Sequence, residues 1–246
     1  MNLSLFQAAT GMSASARWQE ITAENLAASQ VPGYKRQEIT FEPMIAGYTP
    51  AGSEVGPHYI APRSSVHTDF TAGGFRTTGV DTDLAIDGDG FFAVQLPSGE
   101  VAYTRDGEFH RTPGGQLVTK QGYPLLGDNG PVQIDPNTAQ MFINPSGEIS
   151  QGTDQRGKIR IVGINDPSGL TPTGGGLYLA TGKGVQETAL ANPVVRQGYL
   201  ELSNSNPVAE MTHLISSMRM FEMNQRVIQS QDERLGKTIT ELSPQG

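Results

Sequence analysis

Apolar residues recur at helical spacing near the start of the chain. They are separated alternately by four and three positions, which is the heptad pattern of a helix that pairs with another helix. Several of these positions hold alanine, which would allow a partner helix to approach closely. The predicted seam consists of Leu5, Ala9, Met12, Ala16, Gln19, Ala23 and Leu26.

A longer seam of the same kind occupies the end of the chain. Asn206 is a suitable N-cap and Pro207 a suitable first helical residue, so the pattern predicts a helix over 207–242. At ~1.5 Å per residue this helix would be ~54 Å long. Its two polar seam residues, Gln225 and Asp232, either set the register or contact another subunit. The predicted seam consists of Met211, Leu214, Met218, Phe221, Gln225, Ile228, Asp232, Leu235, Ile239 and Leu242.

Helix length and charge both favour association of the two ends. A long helix with one apolar stripe is marginally stable alone in water, so each end needs a partner helix, in this chain and in neighbouring copies. Residues 1–36 carry three basic and two acidic side chains and residues 207–246 carry four and five, so close packing would cause little repulsion. The alternative is that both stripes pack on the centre of the chain as ordinary core.

The centre of the chain is rich in turns. Residues 37–82 contain many prolines and glycines, which predicts an extended connector. Short apolar runs between turn dipeptides follow, such as "FFAVQL" at 91–96, and they predict an all-β domain. The sequence therefore predicts an α+β fold, with long terminal helices in a coiled-coil-like pair, a central all-β domain and the connector. Its parts are an N-terminal assembly helix (1–36), the connector (37–82), the central β domain (83–202) and a C-terminal assembly helix (203–246).

Candidate catalytic and metal-binding residues are few. The sequence has no cysteine and no G-x-S-x-G motif. Four aspartates between 81 and 89 lack the ligand spacing and the terminal glutamate of a calcium loop, and we interpret them as turn residues. The four histidines show no paired spacing. We therefore expect no enzyme activity, no metal and no cofactor.

Composition also limits the possible partners. The whole net charge of −8 lies in residues 37–206, which argues against a nucleic-acid partner. No run of about 18 apolar residues is present, so we expect no membrane insertion. The first residues lack a positively charged region, which argues against a cleaved signal peptide.

Three segments together resemble the flagellar basal-body rod and hook proteins. The first is "AENLAASQVPGYKR" (23–36), which ends the first predicted helix. The second joins "TDLAIDGDGFFAV" (82–94) to "AYTRDGEF" (102–109), and the third begins with "LELSNSNPVAEM" (200–211) and continues through the last predicted helix. They occur in the order found in that family and span most of the chain.

The first of these segments ends a helix abruptly. Asn25 and Leu26 match the family signature, whereas Glu24 and Ala28 depart from it, and we assign Asn25 to the assembly interface with the two seams. Proline disfavours helix at the preceding residue and removes a backbone donor, and glycine permits a turn. The predicted helix stop and connector start is Pro32, Gly33, Tyr34 and Lys35, of which the last three match the signature.

The resemblance implies a structural function. Members of this family are exported through the flagellar type III apparatus without a cleaved signal and polymerise helically beneath a rod cap. Their terminal helices pair in an inner tube with the β domain outside, and the rod crosses the periplasm and passes torque from motor to hook. The expected partners are further copies of the chain, other flagellar axial (rod and hook) proteins, the export apparatus and the rod cap.

Two alternatives stay open. Within the family, "GDNGPVQID" (127–135) and "SNSNPVAEM" (203–211) look more like the proximal rod type, with the distal rod type as the rival. In a different class of function, the β domain would bind a cell-wall glycan while the helices only dimerise it.

Overall fold

The chain folds into two compact units. The computed structural model describes residues 3–46, 59–136, 140–182, 184–190 and 193–242, with side chains for 5–41 and for the described residues from 64 to 238. The helical unit comprises Met1–Ala27, Gln37–His67 and Asn206–Gly246, and the β unit comprises Ala28–Arg36 and Thr68–Ser205. None of the helices in these described ranges is long and apolar enough to cross a membrane.

Two long helices lie at the ends of the chain, as the periodicity predicts. They are α1 (Leu3–Ala27) and α2 (Pro207–Leu242). Asn206 caps α2, because its side-chain oxygen accepts hydrogen bonds from the backbone N–H groups of Val208 and Ala209 at 3.0 and 3.4 Å. The proline that follows occupies the first helical position, where its missing N–H leaves no acceptor unsatisfied. The predicted bounds of the second helix are confirmed.

The expected extended connector is not confirmed. Two long strands, β1 (Gln37–Ala46) and β2 (Tyr59–Thr68), occupy much of the segment 37–82 and pair in a two-stranded sheet within the helical unit. Residues 47–58 lie outside the described residues. The prolines of this segment led us to predict a connector without strands. However, each strand of a two-stranded sheet has one free edge, where a proline's missing N–H breaks no hydrogen bond of the sheet.

The boundaries of the two units differ from the predicted domain boundaries. Residues 28–36, which we expected to belong with the first helix, are part of the β unit. Residues 37–67 instead belong with the helices. The chain therefore enters the β unit directly after α1, leaves it for β1 and β2, and returns to it at Thr68.

The β unit is built from short strands and one short 3-10 helix (Pro167–Gly169), so the prediction of a central β domain is confirmed in the coarser form of a mostly β region. Its strands are β3 (Phe75–Thr77), β4 (Leu84–Asp87), β5 (Phe91–Gln95), β6 (Val101–Thr104), β7 (His110–Arg111), β8 (Leu117–Val118), β9 (Leu126–Gly127), β10 (Gly130–Pro131), β11 (Phe142–Ile143), β12 (Glu148–Gln151), β13 (Asp154–Lys158), β14 (Ile161–Ile164), β15 (Leu170–Gly174), β16 (Leu177–Ala180), β17 (Glu187–Ala189), β18 (Val194–Gln197) and β19 (Tyr199–Glu201). The largest sheet has the order β15-β16-β6-β5-β14-β17. The smaller sheets are β18-β4, β19-β3, β7-β8, β10-β9 and β11-β12-β13. Neighbouring strands run antiparallel, for example β5 with β6 and β18 with β4.

Strand β5 separates two cores, because successive side chains of a strand point to opposite faces. Phe92 belongs to the larger core, where its ring meets that of Phe109 edge to face at 5.3 Å between centroids. Phe91 belongs to the smaller core, with Tyr103 and Tyr178. Aromatic residues adjacent in sequence thus hold together both faces of the six-stranded sheet.

A partly buried carboxylate lies in the turn that follows β6. Asp106 accepts a hydrogen bond from the backbone N–H of Glu108 at 2.9 Å, and its own N–H donates to the Thr104 hydroxyl at 3.0 Å. Burial raises the pKa of Asp106 to about 6; the hydrogen bond opposes this shift and the nearby Glu108 carboxylate adds to it. The folded chain therefore holds this proton more tightly than the unfolded chain does.

Replacing Asp106 by asparagine should stabilise the β unit at neutral pH. The protonated carboxyl favours the folded state below about pH 4, and this advantage is lost as the pH rises to about 6. Because each pH unit of pKa elevation costs ~1.4 kcal/mol once the group is ionised, Asp106→Asn should raise the free energy of unfolding by up to ~3 kcal/mol at pH 7 and hardly at all at pH 3.5. Urea unfolding over this pH range measures the difference, and a difference independent of pH would contradict this origin.

Candidate assembly surface and helix stop

The two terminal helices pack against each other and run antiparallel. The ring of Trp18 lies 6.2 Å, centroid to centroid, from that of His213. Nearer the start of α1, Gly11 faces Asn224, so closely that a Cβ atom on the glycine would lie 2.9 Å from Asn224 Nδ2. Moving back along α1 therefore corresponds to moving forward along α2. The supercoiled geometry of a coiled coil stays a prediction.

The buried side of α1 is rotated by one residue from the predicted seam. Its positions, spaced alternately by three and four, are Ala8, Gly11, Ser15, Trp18, Thr22 and Asn25. The exposed members of the predicted seam are Ala9, Ala16 and Ala23, and its half-buried members are Leu5, Met12, Gln19 and Leu26. A search for apolar residues misses the true side because it holds small polar groups. The Ser15 hydroxyl, for example, donates to the Gly11 carbonyl at 2.8 Å and so packs with its polar atom satisfied.

The packed side of α2 shares every second position with the predicted seam. The shared positions, all half-buried, are Leu214, Phe221 and Ile228. The alternate positions lie one residue before the predicted ones and hold Glu210, Ser217 and Asn224. Ser217 is fully buried, and its hydroxyl donates to the Leu214 carbonyl at 2.8 Å. Here too, a serine whose hydroxyl is hydrogen-bonded occupies the packed position, where the sequence predicted Met218.

The other predicted seam positions of α2 leave apolar surface uncovered. The exposed positions are Met211, Met218, Gln225, Asp232 and Leu235. The side chains of Ile239 and Leu242 lie outside the described residues. A role of the two seams in assembly therefore stays a prediction.

Asn25 fastens the end of α1 to the start of β1. Its Nδ2 donates to the backbone carbonyl of Gln37 at 2.8 Å, and its Oδ1 accepts from the backbone N–H of the same residue at 2.8 Å. A side-chain amide thus pairs with the backbone as a neighbouring strand would. The assembly role predicted for Asn25 stays a prediction, and the contact seen here lies within the chain.

The predicted helix stop is a tight turn inside the β unit. The backbone N–H of Tyr34 donates to the Val31 carbonyl at 3.3 Å, and that of Gly33 donates to the Glu201 carbonyl at 2.8 Å. Gly33 adopts a φ of 65°. A Cβ atom at Gly33 would lie 2.2 Å from the carbonyl carbon of Arg105. Glycine is therefore required here both by the backbone conformation and by the lack of space.

Lys35 anchors this turn through a buried ion pair. Its Nζ lies 2.7 Å from Glu201 Oε1, both side chains are fully buried, and it also donates to the Thr71 carbonyl at 2.7 Å. The backbone N–H of Gly73 donates to the same carboxylate oxygen at 3.0 Å. Burial lowers the pKa of Lys35, and the Glu201 carboxylate opposes this shift. The lysine that we expected to start an extended connector is instead fully buried in the β unit.

The three segments that carry the family resemblance meet at this ion pair. Lys35 comes from the first segment and Glu201 from the third. Arg105 comes from the second, and its Nη1 lies 3.4 Å from Glu201 Oε2. The Arg105 guanidinium also lies over the Phe91 ring, 5.3 Å from its centroid. Each segment could be recognised in the sequence by itself. The contact between them could not be predicted, because the partners of Lys35 are far away in the chain and no residue spacing points to them.

Two of the four aspartates between 81 and 89 have defined partners in the fold. The Asp87 carboxylate accepts a hydrogen bond from Arg196 Nε at 3.0 Å on the neighbouring strand. Asp83 is buried and pairs with Glu108 through an isolated backbone bridge. Among the described residues, no group of three or more histidine, aspartate or glutamate side chains is placed to hold a metal ion.

Removing the Lys35 charge should strongly destabilise the β unit. Lys35→Met leaves the Glu201 carboxylate buried without its ammonium partner, and breaking a buried pair in this way costs ~3–5 kcal/mol. The matched control is Arg156→Met, because Arg156 pairs with Asp135 and Asp154 at the surface and its loss should cost under ~1 kcal/mol. Denaturant unfolding of both variants measures the two costs. Equal costs would show that the buried pair has no special role.

Gly33→Ala should destabilise the β unit far more than an alanine placed in the same backbone conformation elsewhere. Gly79 has a φ of 71°, and a Cβ there would meet no atom within 4 Å. Gly79→Ala therefore reports backbone strain alone, ~1 kcal/mol, whereas Gly33→Ala adds a clash with the backbone of Arg105. Thermal unfolding should show a lower Tm for Gly33→Ala by at least ~5 °C relative to that control. Similar Tm values for the two variants would contradict the close approach.

The chain is similar to flagellar proteins over nearly its whole length. A family model described as the flagellar hook protein FlgE/F/G D1 domain matches residues 85–151. A second, described as the flagellar basal body rod FlgEFG protein C-terminal region, matches residues 196–241. The first match lies in the β unit and contains Arg105, and the second contains Glu201 and nearly all of α2.

Curated relatives give the same assignment. The flagellar basal-body rod protein FlgG of Buchnera aphidicola from Schizaphis graminum is 33% identical, over 95% of this chain and 97% of the relative. FlgF of Caulobacter vibrioides, also named a flagellar basal-body rod protein, is 35% identical over 89% and 91%. FlgG of Bacillus subtilis is 32% identical over 96% and 97%. The anchored helix stop and the paired terminal helices described above are thus those of a chain that belongs to the flagellar basal-body rod and hook protein family.

Proposed function

We propose that this chain is a subunit of the proximal part of the flagellar rod, with a structural and not a catalytic role. It is exported by the flagellar type III apparatus, polymerises helically beneath a rod cap with further copies and with other axial proteins, and transmits torque across the periplasm. In this proposal the terminal helices form the contacts between subunits, and the β unit is complete within one chain.

The observation that carries the proposal is the uncovered apolar surface of α2. Val208, Met211, Ile215 and Met218 are each at least half exposed, in a helix whose opposite side is already packed on α1. Contiguous exposed apolar residues on a soluble chain mark interaction sites. In a chain whose relatives are named rod proteins, another axial subunit is the partner that this surface fits best.

The proximal position rests on narrower support. The segments 127–135 and 203–211 favour the proximal type, and a relative named FlgF is 35% identical. Relatives named FlgG are about as similar and match over 97% of their length, so the distal rod is the alternative. A strain that lacks a different chain of the FlgG type separates the two positions, because in a rod that grows from its base a proximal subunit is added before the distal ones and would still be present. Basal bodies from that strain that lack the present chain would contradict the proximal position.

One cleft of the β unit bears on the glycan-binding alternative. It has a volume of about 520 Å³ and is lined by Gly79, Val80, Asp81, Thr82, Arg111, Ile134 and Met141. No aromatic ring lines this described cleft, so it offers no platform for stacking against a sugar. This cleft therefore does not favour glycan binding over the rod function.

Leu235→Asp should block incorporation of the chain into the rod while leaving the β unit folded. Leu235 is 40% exposed near the end of α2, and a charge there would be buried unpaired if another subunit covers it. The measurement is the amount of the variant in purified basal bodies, together with swimming of cells that carry only the variant. We expect at least a tenfold loss of incorporation.

The matched control is Ser230→Asp, which places the same charge at an exposed position of the same helix that is already polar. This variant should assemble normally. Normal assembly of Leu235→Asp as well would show that the end of α2 makes no subunit contact. Loss of the unfolding transition of the β unit in Leu235→Asp would show that the substitution acts on folding instead.

A further inference from the structure

Apart from Leu235, the large uncovered apolar residues in the described part of α2 form two separate rows. The first row is Val208, Met211, Ile215 and Met218, and the second row is Met220, Met223 and Val227. Within each row the spacing alternates between three and four residues, so each row is a continuous stripe along the helix. All seven side chains are at least 40% exposed.

The two rows lie on different sides of the helix and in different halves of it. At 100° per residue, their centres are about 130° apart around the helix axis. The strip packed on α1, which includes Leu214, Ser217 and Phe221, lies between them on the remaining side. One partner helix therefore cannot cover both rows, and α2 must have two further neighbours if both are covered.

We propose that the first row of one copy packs on the second row of the next copy, which deepens the proposed function and rests on it. A single kind of contact then covers both rows of every interior copy. Such a contact joins different patches on the two partners, so it leaves one row free at each end and continues as an open polymer. A two-fold contact, in which the same row of both copies meets, would instead give a closed dimer and leave the other row of each copy uncovered.

Charged residues beside the rows favour this pairing. Glu222 follows the first row on the same side of the helix, and Arg234 follows the second row on its side. If neighbouring α2 helices are parallel and displaced by about three turns, so that the rows face each other, Glu222 lies opposite Arg234. Both side chains are exposed, and within the described part of the chain neither of them forms an ion pair. The contact would therefore join an acidic flank to a basic one.

Methionine makes up more than half of the two rows. Met211 and Met218 lie in the first row, and Met220 and Met223 in the second. An unbranched thioether adapts to irregular surfaces more readily than a branched side chain does. Such rows suit a subunit that must contact further copies of itself along its own segment and related but different chains at the ends of that segment.

Cysteine cross-linking tests the pairing directly, because the chain contains no cysteine. Met211→Cys and Met223→Cys place one thiol in each row, and the double variant carries both on one chain. Each variant replaces the native chain in flagellated cells. Basal bodies are purified and treated with a mild oxidant, and the products are separated by gel electrophoresis without reductant. The double variant should form a ladder of disulfide-linked oligomers, at least to trimers, whereas each single variant should stay at least 90% monomeric.

The matched control is the double variant Arg219→Cys and Ser230→Cys, whose exposed positions lie between the two rows on the outer side of α2. It should form no ladder. The pairing of the rows is overturned, and the rod function left standing, by either of two results: basal bodies that contain the Met211 and Met223 double variant give no ladder, or either single variant gives a dimer. If basal bodies from cells with the native sequence lack this chain, the rod function itself is overturned.

Discussion

The buried contact between the Lys35 ammonium and the Glu201 carboxylate determines where the segment after the first helix lies in the fold. Neither charge can be buried without the other, because removing an ion from water costs several kcal/mol unless a partner compensates. The contact therefore holds residues 28–36 inside the β unit. The first helix must end before this segment, and Gly33 provides the turn that brings Lys35 to its partner. The helix stop is thus a consequence of an ion pair between residues far apart in sequence.

Much of this architecture could be predicted from the sequence, because its signals are local. The heptad spacing indicated both helices, Asn206 and Pro207 indicated the start of α2, and turn dipeptides indicated the short strands. The side of each helix that packs could not be predicted in the same way. Ser15 and Ser217 occupy packed positions because their hydroxyls bond to the preceding turn, and a search for apolar residues counts them as surface.

The residues around the ion pair show a second limit of sequence reasoning. Lys35 was recognised through its place in the family signature, but a lysine after Pro-Gly-Tyr is by its chemistry a surface residue. Its burial depends on Glu201 and Arg105, which only the fold brings within reach. Strands β1 and β2 were missed for a related reason, since the signals that break a central strand are tolerated at a free edge.

The helical unit joins the first 27 residues of the chain to the last 41. Most of the residues between them belong to the β unit, so α1 has no partner helix until almost the whole chain is available. The Lys35 pair has the same property, since Glu201 is separated from it by 166 positions. Contacts of such long range form late, because a large loop must close before they stabilise anything. If the chain is exported as proposed, its folding would therefore be completed only once the final helix has arrived, and a truncated copy would be left with an unpaired first helix and an unanchored turn.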